Sequence, residues 1–172
     1  MKNTIIYLII IFNISCSEDY DSILNDLSYN YVLIKDEIGD DLYYEHYNIN
    51  EKEHEMRFNI YKNSVRKFYS SDIKIIDYLL KYRNEDKEFC NWIKTKNPYL
   101  STIGDLDLLT KSESALILID NYFSNFKSGK IEIPSYLTNL SYERFIKFYN
   151  ENKELNLEEL RRNYKKKFGI SR

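Results

Sequence analysis

A chain of 172 residues with only four Gly and two Pro leaves no room for long flexible or proline-rich linkers, and its length suits one domain with a real core. No internal repeat is present, which excludes the solenoid and propeller classes. The net charge of −2 hides a division: residues 17–55 carry twelve acids against two bases, whereas residues 56–172 carry fifteen acids against 22 bases. Such segregation either steers a charged partner or holds two parts of one domain together.

The chain opens with the short basic start Met1-Lys2-Asn3-Thr4, followed by an unbroken apolar run over residues 5–12. Asn13-Ile14-Ser15-Cys16 then leads into the acidic Ser17-Glu18-Asp19-Tyr20-Asp21. Basic start, apolar centre and small residue before a cut form the pattern of an export signal. A membrane-spanning helix needs about 20 apolar residues, so the run predicts a removable signal rather than a spanning anchor.

The stretch Phe12-Asn13-Ile14-Ser15-Cys16 resembles the lipobox of bacterial lipoproteins, where a small residue precedes a cysteine that becomes acylated and N-terminal. Ser15 and Cys16 match, and Asn13 stands where that pattern usually has Leu. Ser17-Glu18-Asp19 is similar to the short acidic export tags that follow the cysteine in surface lipoproteins of some Gram-negative bacteria. The resemblance implies a signal peptide over residues 1–15 and a domain over residues 16–172 held on the bacterial cell envelope by acyl chains on Cys16. Stable anchoring takes more than one acyl chain, each buried CH₂ contributing about 0.8 kcal/mol. The rival cut, after Ser17, yields a secreted soluble protein.

Ile23, Leu24, Leu27 and Tyr31 suggest a helix at the start of the mature chain. Residues 31–47 stay open between helix and a small β-hairpin around Gly39-Asp40. Asn50 with Glu53 predicts a capping box, followed by a helix with Phe58, Tyr61, Val65 and Phe68 on one face. Ser70-Ser71-Asp72 ends it and starts another, with Ile73, Ile76, Leu79 and Leu80 inward. Asn84-Glu85-Asp86 is expected to open a short helix through Phe89, Trp92 and Ile93, stopped by Asn97-Pro98. Residues 99–109 read as a loop around Gly104.

Thr110 with Glu113 is the clearest capping box in the chain. The helix behind it carries Leu116, Ile119, Tyr122, Phe123 and Phe126 and is expected to be the central core helix. Ser128-Gly129 stops it. Ser141 caps a helix with Phe145, Ile146 and Tyr149, and Asn156 with Glu159 caps the last, with Leu157, Leu160, Tyr164 and Phe168 inward and Gly169 at its end. The fold class is therefore mainly α: a single-domain bundle of about five or six helices.

Residues that carry chemistry are few. With Cys16 acylated or removed, Cys90 is the remaining thiol, which excludes an intrachain disulfide framework; its apolar neighbours Phe89, Trp92 and Ile93 suit a buried inert thiol. His46 and His54 have acidic neighbours Glu45, Glu53 and Glu55, and imidazole with carboxylate suits zinc. Their eight-residue spacing matches no ligand motif, so no metal and no cofactor are expected. Asp105-Leu106-Asp107 fails the calcium-loop pattern at Leu109, Thr110 and Leu116. Phosphate loops, nucleophile elbows and HExxH are absent from the sequence.

The basic tail holds Arg161, Arg162, Lys165, Lys166 and Lys167, interleaved with Tyr164 and Phe168. Helical packing accounts for the aromatics, and export removes most nucleic acid from reach. Contact with an anionic lipid surface is the alternative role for these cations. The reading favoured is a non-enzymatic, envelope-tethered protein that binds a protein partner, with an immunity-like or inhibitor-like role conceivable from size and location. Its first candidate surface is Asp36, Glu37, Asp40, Asp41, Tyr43 and Tyr44. The alternatives are an exported hydrolase or metal-binding protein using His46 and His54, and a membrane-surface structural protein.

Overall fold

A computed structural model describes residues 19–27, 50–94, 107–127, 129–131 and 140–169. In chain order these form α1 (Tyr20–Leu27), α2 (Glu51–Ser70), α3 (Lys74–Leu80), β1 (Glu88–Lys94), β2 (Asp107–Thr110), α4 (Lys111–Ser124), α5 (Tyr142–Asn152) and α6 (Leu157–Phe168). The protein is mainly α. The expected hairpin region, residues 31–47, lies outside the described residues, as does Tyr31.

Side-chain caps set the helix starts. Asn50 accepts from the Glu53 amide at 3.0 Å, Ser141 from the Arg144 amide at 3.3 Å, and Asn156 from the Glu159 amide at 3.0 Å. Each satisfies one of the orphan donors in a first turn, worth about 1 kcal/mol. Thr110 and Glu113 complete the full reciprocal box, with the Glu113 carboxylate accepting from the Thr110 amide at 3.0 Å. At Asn50 only half of the expected box forms, because Glu53 turns to Arg57 one turn along α2. A charged partner at i+4 outcompetes the neutral backbone amide.

Gly169 ends α6 for a reason other than the left-handed conformation common at such positions. Its φ is −59°, and its amide donates to the Lys165 carbonyl. A Cβ there would stand 2.2 Å from that carbonyl oxygen. Gly129, beyond α4, does adopt a left-handed φ of 67°.

Of the segment expected as a helix from Asn84 through Ile93, residues 88–93 lie in β1, and residues 107–109 of the expected loop lie in β2. The two strands pair antiparallel, Glu88 opposite Thr110, Ile93 opposite Leu108 and Lys94 opposite Asp107, with an irregularity between Glu88 and Ile93. Phe89, Trp92 and Ile93 are residue types that favour strands, and pairing with residues 107–110 downstream overrides a short helical spacing.

The core confirms α4 as the central helix but not its single stripe. Ala115, Ile117, Leu118, Ile119, Tyr122 and Phe123 are all buried, whereas Leu116 is half-buried and Phe126, past the helix end, is 43% exposed. Neighbours on several sides explain this: α3, α6 and both strands pack on α4, and Phe68 of α2 meets Tyr122 edge-on at 5.7 Å. A helix enclosed this way needs apolar residues all round. The buried Asn121 is satisfied by donating to the Ile117 carbonyl at 2.9 Å.

Of the stripe expected on α2, Tyr61, Val65 and Phe68 are buried and Phe58 is half-buried; on α3 Ile75 joins Ile76 and Leu79, while Leu80 and the preceding Ile73 sit half-buried. Between α4, α5 and α6 an aromatic cluster forms. Phe123 stacks on Tyr164 at 4.9 Å, and Tyr164 meets Phe148 at 5.6 Å and Phe168 at 4.9 Å. Such ring pairs add roughly 0.5–1.5 kcal/mol each beyond area burial.

Candidate functional site

The described residues divide the sequence candidates sharply. Cys16, His46 and the acidic surface Asp36, Glu37, Asp40, Asp41, Tyr43 and Tyr44 lie outside them. His54 is on the first turn of α2, half-buried, with its ring lying flat on Phe58 at 6.2 Å and 6°. Lys62 places its Nζ 5.3 Å from the centroid of the same Phe58 ring. Residues 54, 58 and 62 recur every four positions, so this is a column of stacked groups along one helix face. Among the described residues no group of three or more His, Cys, Asp or Glu is placed to hold a metal.

Of the five cations of the basic tail, Arg162, Lys165, Lys166 and Lys167 are exposed and Arg161 is half-buried. Arg161 turns inward: its Nε donates to the Tyr122 carbonyl at 3.2 Å, and its guanidinium lies 3.8 Å from the Phe126 centroid and 4.6 Å from that of Tyr122. Among the described residues, Nη2 of Arg161 is buried without a hydrogen-bond partner. Burial lowers the pKa of this guanidinium from its ordinary value, with the nearby Tyr122 and Tyr69 opposing. Lys167 pairs with Glu151 at 3.3 Å, and Arg162 lies 3.8 Å from Glu159. Lys165 and Lys166 are exposed on the same helix.

Sequence reasoning passed over a set of polar pins between helices. Tyr164 on α6 donates to Asp120 Oδ1 on α4 at 2.5 Å. Burial raises the Asp120 carboxyl above its usual range, opposed by that hydrogen bond, and burial together with the carboxylate raises the Tyr164 phenol. The only signal in the sequence was an acid inside the most hydrophobic helix.

A second group ties α1 to α3. Tyr20 donates to Asp72 at 2.8 Å, Tyr78 donates to Asp21, and the Tyr78 and Tyr82 hydroxyls are 2.8 Å apart. Burial, then the bonds to Asp21 and Tyr82, raise the Tyr78 phenol. Tyr149 of α5 is pushed up to about 12 by burial and by Asp77 of α3, and burial lifts Tyr61 to about 12, with the Ile131 backbone opposing. Strongly displaced groups often mark catalytic sites, but internal networks displace them as well. Here each bonded phenol spans two elements, which is the behaviour of a structural tie.

A surface depression of about 560 Å³ lies between the turn after α3 and the start of α5, lined by Arg83, Asn84, Tyr142, Glu143, Ile146 and Lys147. Tyr142 donates to the Ser112 carbonyl at 2.6 Å, and Ser112 Oγ donates to the Arg83 carbonyl at 2.8 Å, so its floor is fixed across three elements. Two cations, one acid, an amide and apolar carbon line it, a mixture suited to the side chains of another protein surface rather than to a single-sign ion.

No described helix is long and apolar enough to cross a membrane. Comparison with family models, curated proteins and solved structures finds no match to this chain.

Proposed function

We propose that this chain is an exported, lipid-anchored protein of the bacterial envelope whose helical domain binds a protein partner without carrying out chemistry. The observation that carries the reading is the start of the chain. An apolar octet and Ser15-Cys16 run, within three further residues, into a helix packed firmly on the rest of the domain. A signal with a cysteine at its edge supplies an anchor, and α1 supplies the point from which the domain hangs.

The interior supports a binding role. The displaced phenols and the Asp120 carboxyl serve bonds between helices, and the His54 ring stacks on Phe58. An immunity-like or inhibitor-like activity belongs to the same class, since a small tethered domain meets incoming proteins at the envelope.

Intact-mass and N-terminal analysis of the full chain produced in a bacterial host tests the anchor. A mature protein beginning at acylated Cys16 is expected; a free Glu18 start or a retained Met1 overturns it. Partner capture tests the surface. Reversing Asp36, Glu37, Asp40 and Asp41 is expected to weaken capture from an envelope fraction, and capture unchanged by the reversal removes that surface.

The exposed pair Lys165 and Lys166 favours a second reading, contact of α6 with anionic lipid at about 1 kcal/mol per cation. Unacylated protein should then bind anionic liposomes and release them at high salt. Binding that is absent or indifferent to salt removes this reading.

A further inference from the structure

We infer that the first turn of α1, with the Asp72 corner hydrogen-bonded to it, is the surface that the anchored domain turns toward the membrane; the inference rests on acylation of Cys16. Three peptide units separate Cys16 from Asp19. An extended chain advances at most about 3.6 Å per residue, so the two Cα atoms are no more than about 11 Å apart whatever path Ser17 and Glu18 take. The polar layer on each side of a bilayer is about 5–7 Å thick. Acyl chains that start at its inner edge therefore hold Asp19 within about 10 Å of the head-group surface.

The protein side of this link has no slack. Asp19 Oδ1 accepts from the Ser22 amide at 3.0 Å, so the helix is capped at the end of the tether. Ile23, Leu24 and Leu27 are buried, and α1 packs on α2. Tyr20 and Tyr78 fasten the first turn to Asp72 and α3 at its outer edge. Peeling α1 away to lengthen the tether would expose three buried aliphatic side chains to water.

The surface so presented carries Asp19, Asp21 and Asp72, with Lys74 3.8 Å from the Asp72 carboxylate. Carboxylates do not favour an anionic leaflet, so the domain rests close to the membrane by its tether rather than by attraction. Helix α6 sits elsewhere: α1 packs on α2, Phe68 of α2 meets Tyr122 of α4, and α4 packs on α6. The packing thus leads from the tether to Lys165 and Lys166 by way of α2 and α4.

The test uses the full acylated chain in phosphatidylcholine nanodiscs containing a lipid with a nitroxide on its head group. With Cys90→Ser as background, fluorophores are placed at Lys74→Cys and, separately, at Lys166→Cys. Quenching at position 74 is expected to exceed that at position 166 several-fold. A twelve-residue Gly/Ser spacer inserted between Ser17 and Glu18 should bring the two together. Equal quenching, or stronger quenching at 166, in protein whose acylation is confirmed by intact mass overturns this orientation while leaving the anchor standing. An intact mass without acyl chains overturns the anchor and the orientation together. Paramagnetic broadening of backbone amides in otherwise unsubstituted protein gives the same comparison where a variant folds poorly.

Discussion

Replacing Tyr164 by Phe removes one oxygen from the centre of the α4–α6 contact. The ring keeps its stack on Phe123 at 4.9 Å and its contacts with Phe148 and Phe168, so packing changes little. What is lost is the 2.5 Å hydrogen bond to Asp120, a carboxylate held in a largely apolar setting. A hydrogen bond to a charged group contributes about 1.5–3 kcal/mol, and leaving the buried partner unsatisfied places the cost toward the upper end. The expected destabilisation at pH 7 is therefore about 2–3 kcal/mol, or a fall in Tm of roughly 4–12 °C for a domain of this size.

Asp120→Asn is the companion change. It retains an acceptor for the phenol and removes a charge whose burial is unfavourable, so it should stabilise at pH 7. The folded-state pKa of Asp120 lies above its unfolded value of 3.8. Protonation thus favours the folded state, fully so below about 3.8, and that benefit is lost as pH rises through the higher folded value. The advantage of Asn should accordingly vanish in acid, and the penalty of Tyr164→Phe should shrink there too. Urea unfolding of the two single variants and the double variant at pH 7 and pH 3.5 measures all of this. A Tyr164→Phe variant as stable as the parent at pH 7, or an Asp120→Asn gain that grows on acidification, would refute the reasoning.

Three other outcomes follow from the same geometry. Buried phenols make the fold sensitive to alkali: Tyr61 is neutral in the folded state up to about 12 but ionises near 10 when unfolded, so roughly 3 kcal/mol disappears between pH 10 and 12 from this residue alone. Phenolate absorbance should rise in step with loss of helical circular dichroism; all tyrosines titrating near pH 10 with helicity intact would contradict it. Gly169→Ala forces a Cβ onto the Lys165 carbonyl, so the last turn of α6 should fray, seen as faster amide exchange at Lys167 and Phe168 with a cost of about 1 kcal/mol. Thr110→Ala breaks the capping box where β2 passes into α4 and should cost about 1–2 kcal/mol in urea unfolding, whereas Thr110→Ser should restore most of it.

How much of this was legible in advance depended on the range of the interaction involved. Caps and helical stripes are local, and the starts of α2, α4, α5 and α6 stood in Asn50, Thr110, Ser141 and Asn156. Residues 88–94 misled for the opposite reason: their strand state depends on pairing with residues 107–110, a non-local contact that spacing within the segment does not contain.

The candidate surfaces divide along the same line. Residue types alone placed five cations in the tail, but only the folded neighbours of α6 decided that Arg161 lies against Phe126 and Tyr122, that Lys167 pairs with Glu151, and that Lys165 and Lys166 stay exposed. The Tyr164–Asp120 bond and the ties of Tyr20 and Tyr78 join residues 44 to 57 positions apart. The linear chain settled where helices begin and which faces are oily, since those follow from hydrogen bonds and spacing within a few residues. Tertiary packing settled which polar groups are buried together, since the cost of stripping water from a phenol or a carboxylate exists only once distant segments close over it.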